Sequence, residues 1–178
     1  MRAAIVLFFV SFSPLSFCQQ LNSSASGANT HQTSEAGSAY VPAHKFDPKR
    51  NAAADIQAAI GEAQRTGKRI IVDVGGDWCQ YCHQMDQFFQ EHHELAELRD
   101  KNFVTVAVYY GEDNKNHEAL SHYSKVLGIP HFYVLEKDGT LIHSQHMIEL
   151  RAGSKYDPEK MKEFLLKWAP PAQNAAPK

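Results

Sequence analysis

The feature that most constrains this chain is a short β-branched run that is followed at once by two closely spaced cysteines. Residues 69–74 read Arg-Ile-Ile-Val-Asp-Val, which predicts a buried strand, and a pair of glycines ends it. Cys79 and Cys82 come next and open a helical pattern that runs to Phe89. A Cys-x-x-Cys pair at a strand-to-helix junction is typical of redox sites. We therefore expect thiol chemistry on an α/β framework.

The rest of the folded unit, residues 46–169, alternates between helical and strand patterns. Helices are predicted over 47–66, 79–89, 116–127 and 157–168, and strands over 69–74, 103–110, 131–135 and 140–144. An Asp-Gly turn joins the last two strands as a hairpin. Alternating helices and strands that end in a hairpin and a helix predict an α/β fold with a central mixed sheet flanked by helices.

The two ends of the 178-residue chain differ in composition from this unit. Residues 1–18 carry Arg2 and then an apolar run too short to cross a membrane, which predicts a secretory signal and an exported, periplasmic or secreted protein. Cleavage after Cys18, lipidation of Cys18 as a membrane anchor and an uncleaved segment all stay open. Residues 19–45 and 170–178 are rich in small and polar residues and are predicted to be a disordered linker and tail.

Charge and ligand spacing exclude some partners. Lys and Arg number 18 against 20 Asp and Glu, so no basic face favours nucleic acid. The ten histidines follow no ligand spacing, and no second pair of ligands accompanies the two cysteines, so we predict no metal site. His83 and His131 are the two histidines expected near the sulfurs.

The cysteine pair has a physical reason to be reactive. The first turn of a helix has unpaired backbone N–H groups and the positive end of the helix dipole, and both favour a thiolate. This lowers the pKa of Cys79 and makes it the expected nucleophile. Cys82, one turn later, is placed to form or resolve the disulfide. A protonated His83 would add to this effect, although a solvent-facing role suits it equally.

Other interpretations of the pair remain. An inert disulfide could pin the loop. Cys-Gln-Tyr-Cys-His also matches the attachment pattern of c-type haem, with His83 as an axial ligand, and a zinc site could use both sulfurs and a histidine.

Four features together resemble the thioredoxin superfamily over most of residues 46–169. They are Trp78 before the cysteine pair, Asp73 six residues ahead of Cys79, the Gly-Ile-Pro triplet that ends at Pro130, and the hairpin turn at residues 137–139. The stretch Asp-Trp-Cys-x-x-Cys-His-x-Met is further similar to exported thioredoxin-like proteins, including reducing domains that receive electrons across bacterial inner membranes.

The resemblance implies roles for the matching residues. Asp73, buried with a raised pKa, would accept the proton of Cys82. Pro130 in cis would present the backbone of Ile129 to a substrate peptide, and Trp78 would supply an apolar contact surface. The implied substrates are protein thiols and disulfides, the implied electron partner is a membrane reductase, and no cofactor is implied.

Some positions depart from the family pattern. Thioredoxins carry a lysine near the buried Asp, and Val108 takes that place here. The dipeptide between the cysteines is Gln-Tyr, and the two glycines at 75–76 are expected to widen the approach. The sequence thus predicts an exported thiol–disulfide oxidoreductase, with reduction favoured over oxidation. The alternative is a non-catalytic binding or chaperone module with a structural disulfide.

Overall fold

The computed structural model describes residues 40–41 and 43–171. The predicted signal segment 1–18 lies outside the described residues, as do nearly all of the predicted linker and tail, so those predictions remain predictions. Within the described range, no helix combines the length and apolarity that crossing a membrane requires.

The elements follow the alternation expected from the sequence. In chain order they are α1 (Ala52–Thr66), β1 (Arg69–Gly75), α2 (Gln80–Glu91), α3 (His93–Asn102), β2 (Phe103–Tyr109), α4 (His117–Leu120), β3 (His131–Leu135), β4 (Leu141–His146), β5 (Arg151–Ala152), β6 (Lys155–Tyr156) and α5 (Pro158–Lys167). A short 3₁₀ helix, Met147–Leu150, connects β4 to β5.

The main sheet has the strand order β2-β1-β3-β4. β1 runs parallel to β2 and antiparallel to β3, and β3 pairs antiparallel with β4. The predicted α/β fold with a mixed sheet between helices is confirmed.

The two faces of the sheet bury different apolar clusters, because side chains alternate along each strand. One face packs Val72, Val74 and Tyr133 against Ile56 of α1. The other face packs Ile71 and Phe132 against apolar side chains of α2, α3 and α5. Asp73 pairs across the sheet with Phe132, so it lies on the second face, which also carries α2.

α1 begins later than predicted. The side chain of Asn51 accepts the N–H of Ala54 at 3.0 Å and caps the helix. The predicted cap, Asp47, accepts the N–H of Lys49 at 2.8 Å and closes a turn instead. Two capping residues four positions apart compete here, and the second one begins the helix. The Asp-Pro start of α5 is confirmed, since Asp157 caps it.

The predicted helix over 116–127 is wrong beyond its first turn, because α4 ends at Leu120. The hydroxyl of Tyr133 on β3 donates to the carbonyl of Ser124 at 2.6 Å, which ties this segment to the sheet. Leu127, counted in the apolar face of the predicted helix, is 70% exposed. A buried tyrosine therefore holds this segment in an irregular path towards Pro130.

The packed chain starts before residue 46. The N–H of Ala107 on β2 donates to the carbonyl of Ala43 at 2.7 Å, and Ala43 is buried. Phe46, also buried, packs beside Cys82. This short segment thus closes one side of the cysteine pair.

Candidate active site

The two cysteines lie where β1 gives way to α2. Cys79 is the N-cap of α2, and its own N–H donates to the carbonyl of Gly76 at 2.9 Å. Both cysteines are free thiols and are buried, with exposed fractions of 4% for Cys79 and 1% for Cys82. The strand-to-helix junction predicted from the sequence therefore carries the pair.

The sulfur of Cys79 accepts a hydrogen bond from Cys82. The backbone N–H of Cys82 donates to the Cys79 sulfur at 3.2 Å, as expected for a helix N-cap. The Cys82 thiol, followed by the backbone N–H groups of Cys82 and Tyr81, lowers the pKa of Cys79 to about 7 against the opposing effect of burial. A substantial fraction of Cys79 is then thiolate at neutral pH.

Cys82 behaves in the opposite way. Its hydrogen bond to the Cys79 sulfur and its burial both raise the pKa of its thiol. One sulfur of the pair is thus prepared to attack while the other keeps its proton. This arrangement suits a nucleophile and a resolving thiol in sequence.

Gly75 makes room for the resolving sulfur. A Cβ at this position would lie 2.8 Å from the sulfur of Cys82 and 2.6 Å from the ring of Phe46. A Cβ at Gly76 would collide with the indole of Trp78. The prediction that the glycines widen the approach is therefore wrong, because the space is filled by Phe46, Cys82 and Trp78.

Asp73 lies on the same face of the sheet as α2, with one carboxylate oxygen buried and without a hydrogen-bond partner in the described structure. Burial first, and then the charge of Asp86, raises the pKa of Asp73 to about 8. The carboxyl borders a cavity of about 480 Å³ that Asp86 and Arg99 also line. At neutral pH this carboxyl is largely protonated and is able to exchange a proton.

The neighbour of Asp73 on β2 is not the residue predicted. Asp73 pairs directly with Ala107, while Val108 belongs to the cluster on the opposite face. The prediction for Val108 is wrong by one position, which in a strand exchanges one face for the other. With Ala107 at this point, β2 supplies no lysine beside the carboxyl.

The loop before β3 completes the surroundings of the pair. The Ile129–Pro130 peptide bond is cis, and Ile129 packs against the cluster that contains both cysteines. Trp78 is 58% exposed and lines an apolar cavity of about 410 Å³ together with Ile129. Ile129 thus lies against the cysteine pair, and Trp78 and Pro130 each line a cavity that Ile129 also lines.

The two histidines expected near the sulfurs differ in placement. The Nε2–H of His83 donates to the carbonyl of Asp77 at 2.7 Å, so this ring is engaged by the loop before the helix. His131 pairs with Val74, on the face opposite Cys82, and its expected place beside the sulfurs is wrong. Burial lowers the pKa of His131 to about 4.

The haem interpretation fits this geometry poorly. Attachment would require both sulfurs to meet a porphyrin edge, yet the Cys82 sulfur is enclosed by Phe46, Ala107 and Gly75. The ring nitrogen of His83 that bonds the Asp77 carbonyl is not free to ligate iron.

Two further residues lie beside the pair, and no sequence pattern indicates either of them. The hydroxyl of Tyr156 donates to the carbonyl of Tyr81 at 3.2 Å, and the guanidinium of Arg151 stacks on the Tyr81 ring. Both belong to the short β5–β6 hairpin. Its two-residue strands carry no periodicity, so the sequence held no signal for this approach.

Comparison with known proteins agrees with the fold and with the class of chemistry. A family model described as thioredoxin-like matches residues 51–137. Thiol:disulfide interchange protein DsbD of Pseudomonas sp. (strain JR1 / K1) is 30% identical over 117 residues, covering 65% of this chain and 18% of that protein. Spermatogenesis-associated protein 20 of Rattus norvegicus is 35% identical over 52 residues, covering 29% of this chain and 7% of that protein. The chain therefore spans less than a fifth of either curated relative.

Two solved structures share the architecture. A disulphide isomerase from Xylella fastidiosa Temecula1 superposes with a TM-score of 0.59 at 25% identity, covering 68% of this chain and 94% of that one. The oxidised C-terminal domain of Neisseria meningitidis DsbD gives a TM-score of 0.52 at 18% identity, covering 70% and 98%. The fold and the site define a thioredoxin-like domain, and the matches together support the thioredoxin superfamily. These relatives support thiol–disulfide oxidoreductase chemistry as its general class.

Proposed function

We propose that this protein is an exported thiol–disulfide oxidoreductase that reduces disulfide bonds in other proteins. The observation that carries the proposal is the asymmetry of the pair at the N-terminus of α2. Cys79 accepts the N–H of Cys82 and has a lowered pKa, whereas the pKa of Cys82 is raised. A purely structural disulfide has no need of such an asymmetry.

The proposed exchange has two steps. The Cys79 thiolate attacks one sulfur of a client disulfide, so that a Cys79–client bond forms while the other client sulfur leaves as a thiolate and takes up a proton. In molecules whose Asp73 carboxyl is ionised, this carboxylate accepts the proton of Cys82, and the resulting Cys82 thiolate attacks the Cys79 sulfur. The Cys79–Cys82 bond forms as the Cys79–client bond breaks, and the departing client sulfur takes up a proton, so the client leaves as a dithiol that has gained two electrons.

Asp73 suits the second step because of its pKa and because of the cavity beside its carboxyl. Its raised pKa, about 8, is close to the working pH, where a proton acceptor is most effective. The cavity beside the carboxyl gives the proton a way towards Asp86 and the surface.

The stability of the Cys79 thiolate bears on the direction of the reaction. The pKa of Cys79, about 7, is similar to the value of about 7 for thioredoxin and unlike the value of about 3.5 for a strong disulfide oxidant. A less stabilised thiolate makes the dithiol a better electron donor. Repeated turnover then requires an electron supply, for which we propose a membrane reductase.

Clients are proposed to bind across Trp78, Ile129 and Pro130. An extended segment is able to pair with the backbone of Ile129 as an added strand. The exposed indole of Trp78 and its apolar cavity supply contact area beside the attacked disulfide.

Trapping tests the proposal. The Cys82→Ser variant should accumulate mixed disulfides between Cys79 and clients, and the wild-type protein should reduce insulin disulfides when dithiothreitol is supplied. Cys79→Ser is the matched control and should do neither. Insulin reduction that is no faster than with dithiothreitol alone, together with an empty trap, would favour the binding-module alternative.

A further inference from the structure

The β5–β6 hairpin places a cation against the residues that separate the two cysteines. The guanidinium carbon of Arg151 lies 4.3 Å from the centre of the Tyr81 ring and 5.3 Å from that of Tyr156. The hydroxyl of Tyr156 donates to the carbonyl of Tyr81 at 3.2 Å. The guanidinium therefore lies against both aromatic rings, and the hydrogen bond ties those two tyrosines to each other.

Arg151 shares one groove with the proposed substrate loop. A cavity of about 550 Å³ is lined by Tyr81, by Ile129 and Pro130, and by Arg151. Ile148, which is 62% exposed, forms an apolar edge of the same groove. A client segment that lies along Ile129 therefore passes within reach of the guanidinium.

The charge of the groove is one-sided. Among the described residues that line it, none is Asp or Glu, and Arg151 is the one permanently charged side chain. No carboxylate of residues 40–41 and 43–171 lies within 4.0 Å of Arg151, since the ion pairs of that range all involve other residues. The groove therefore complements a negatively charged occupant.

The guanidinium also keeps donors free for such an occupant. Arg151 donates to the side-chain oxygen of Gln84 at 3.4 Å and to the carbonyl of Ser154. A guanidinium has five N–H groups. Those two hydrogen bonds therefore leave three N–H groups without a partner in the described structure, and a carboxylate is the acceptor whose geometry they fit best.

We infer that this groove binds an extended client segment with an acidic side chain close to its reactive cysteine, and that Arg151 recognises this carboxylate. The inference rests on the proposed thiol–disulfide exchange and names the class of client that the same site prefers. Tyr81 and Ile148 supply apolar contact, while Arg151 favours Asp or Glu and disfavours Lys or Arg in the client.

Single-turnover kinetics with synthetic peptides tests the inference without an electron donor. Each extended peptide carries one cysteine as a mixed disulfide with thionitrobenzoate, and Asp or Asn is placed in turn at the three positions on either side. Reduced wild-type protein should cleave the Asp peptide about fivefold faster than its Asn counterpart at one of these positions, the size of an ion pair that stays in contact with water. Added salt should diminish the difference.

Two variants locate the origin of the preference. Arg151→Gln should bring the Asp-to-Asn ratio of rate constants to about one. Lys155→Gln removes a positive charge from the same hairpin, but this exposed residue does not line the groove, so the ratio should stay at its wild-type value. A ratio of one in the wild type, an unchanged ratio in Arg151→Gln, or an equal loss in Lys155→Gln would overturn the inference. If the wild type cleaves none of the peptides, the proposed exchange fails together with it.

Discussion

The backbone N–H of Cys82 points at the sulfur of Cys79 over 3.2 Å, so the resolving residue itself stabilises the nucleophile. The Cys82 thiol adds the largest single effect on the pKa of Cys79. The two cysteines are therefore coupled while both are reduced, before any disulfide forms.

The first prediction concerns this coupling. Cys82→Ala removes the thiol but keeps the backbone N–H, so the pKa of Cys79 should rise by about one unit, the value of a hydrogen bond to a charged group. The pH dependence of iodoacetamide alkylation measures it, with a wild-type midpoint near pH 7. His83→Gln is the control and should shift the midpoint less, because His83 is the smallest of the named influences. An unchanged midpoint in Cys82→Ala would contradict the coupling.

The second prediction concerns the carboxyl of Asp73. The folded-state pKa of Asp73, about 8, lies above its ordinary value of 3.8, so its contribution to stability is complete below pH 4 and is lost as the pH rises through 8. Asp73→Asn removes that loss. The unfolding free energy of Asp73→Asn relative to the wild type should rise by about 3 kcal/mol between pH 4 and pH 9. This is roughly half of what the full pKa shift gives at about 1.4 kcal/mol per pKa unit, because the carboxyl borders a cavity.

Urea unfolding at a series of pH values measures this difference, and Asp138→Asn gives the control of opposite sign. The backbone N–H of Thr140 donates to Asp138 and lowers its pKa, so its contribution is present above the ordinary value and is lost in acid. Asp138→Asn should therefore be less stable than the wild type at neutral pH. If the effect of Asp73→Asn on the unfolding free energy did not change with pH, ionisation of the carboxyl would cost the folded state nothing. That result would contradict the raised pKa of Asp73.

The third prediction concerns the glycine beneath the resolving sulfur. Gly75→Ala places a methyl group against the sulfur of Cys82 and the ring of Phe46, and overpacking of this kind costs about 1–3 kcal/mol. Gly61→Ala is the matched control, because a Cβ there meets nothing within 4 Å and α1 should gain about 0.5–1 kcal/mol. Thermal or urea unfolding should show a lower unfolding free energy for Gly75→Ala and a higher one for Gly61→Ala. Equal effects in the two variants would mean that Gly75 has no special role in packing.

The sequence was sufficient for the fold class and for the position of the pair, because both depend on local pattern. The strand at 69–74 and the cysteines that follow it carry their own periodicity and spacing. The wrong prediction of Val108, in place of Ala107, as the neighbour of Asp73 has a different origin. The register between β1 and β2 is set by tertiary packing. Arg151 was out of reach for the same reason, because only the folded hairpin brings it to Tyr81.

The most direct test of the proposed reducing function is the redox potential of the Cys79–Cys82 couple, measured by equilibrating the protein with dithiothreitol or glutathione buffers. We predict a reversible two-electron couple near the potential of thioredoxin, about −270 mV. A potential near −120 mV would make the protein a donor of disulfides and contradict the reducing direction, and the absence of a reversible couple would contradict thiol–disulfide exchange itself.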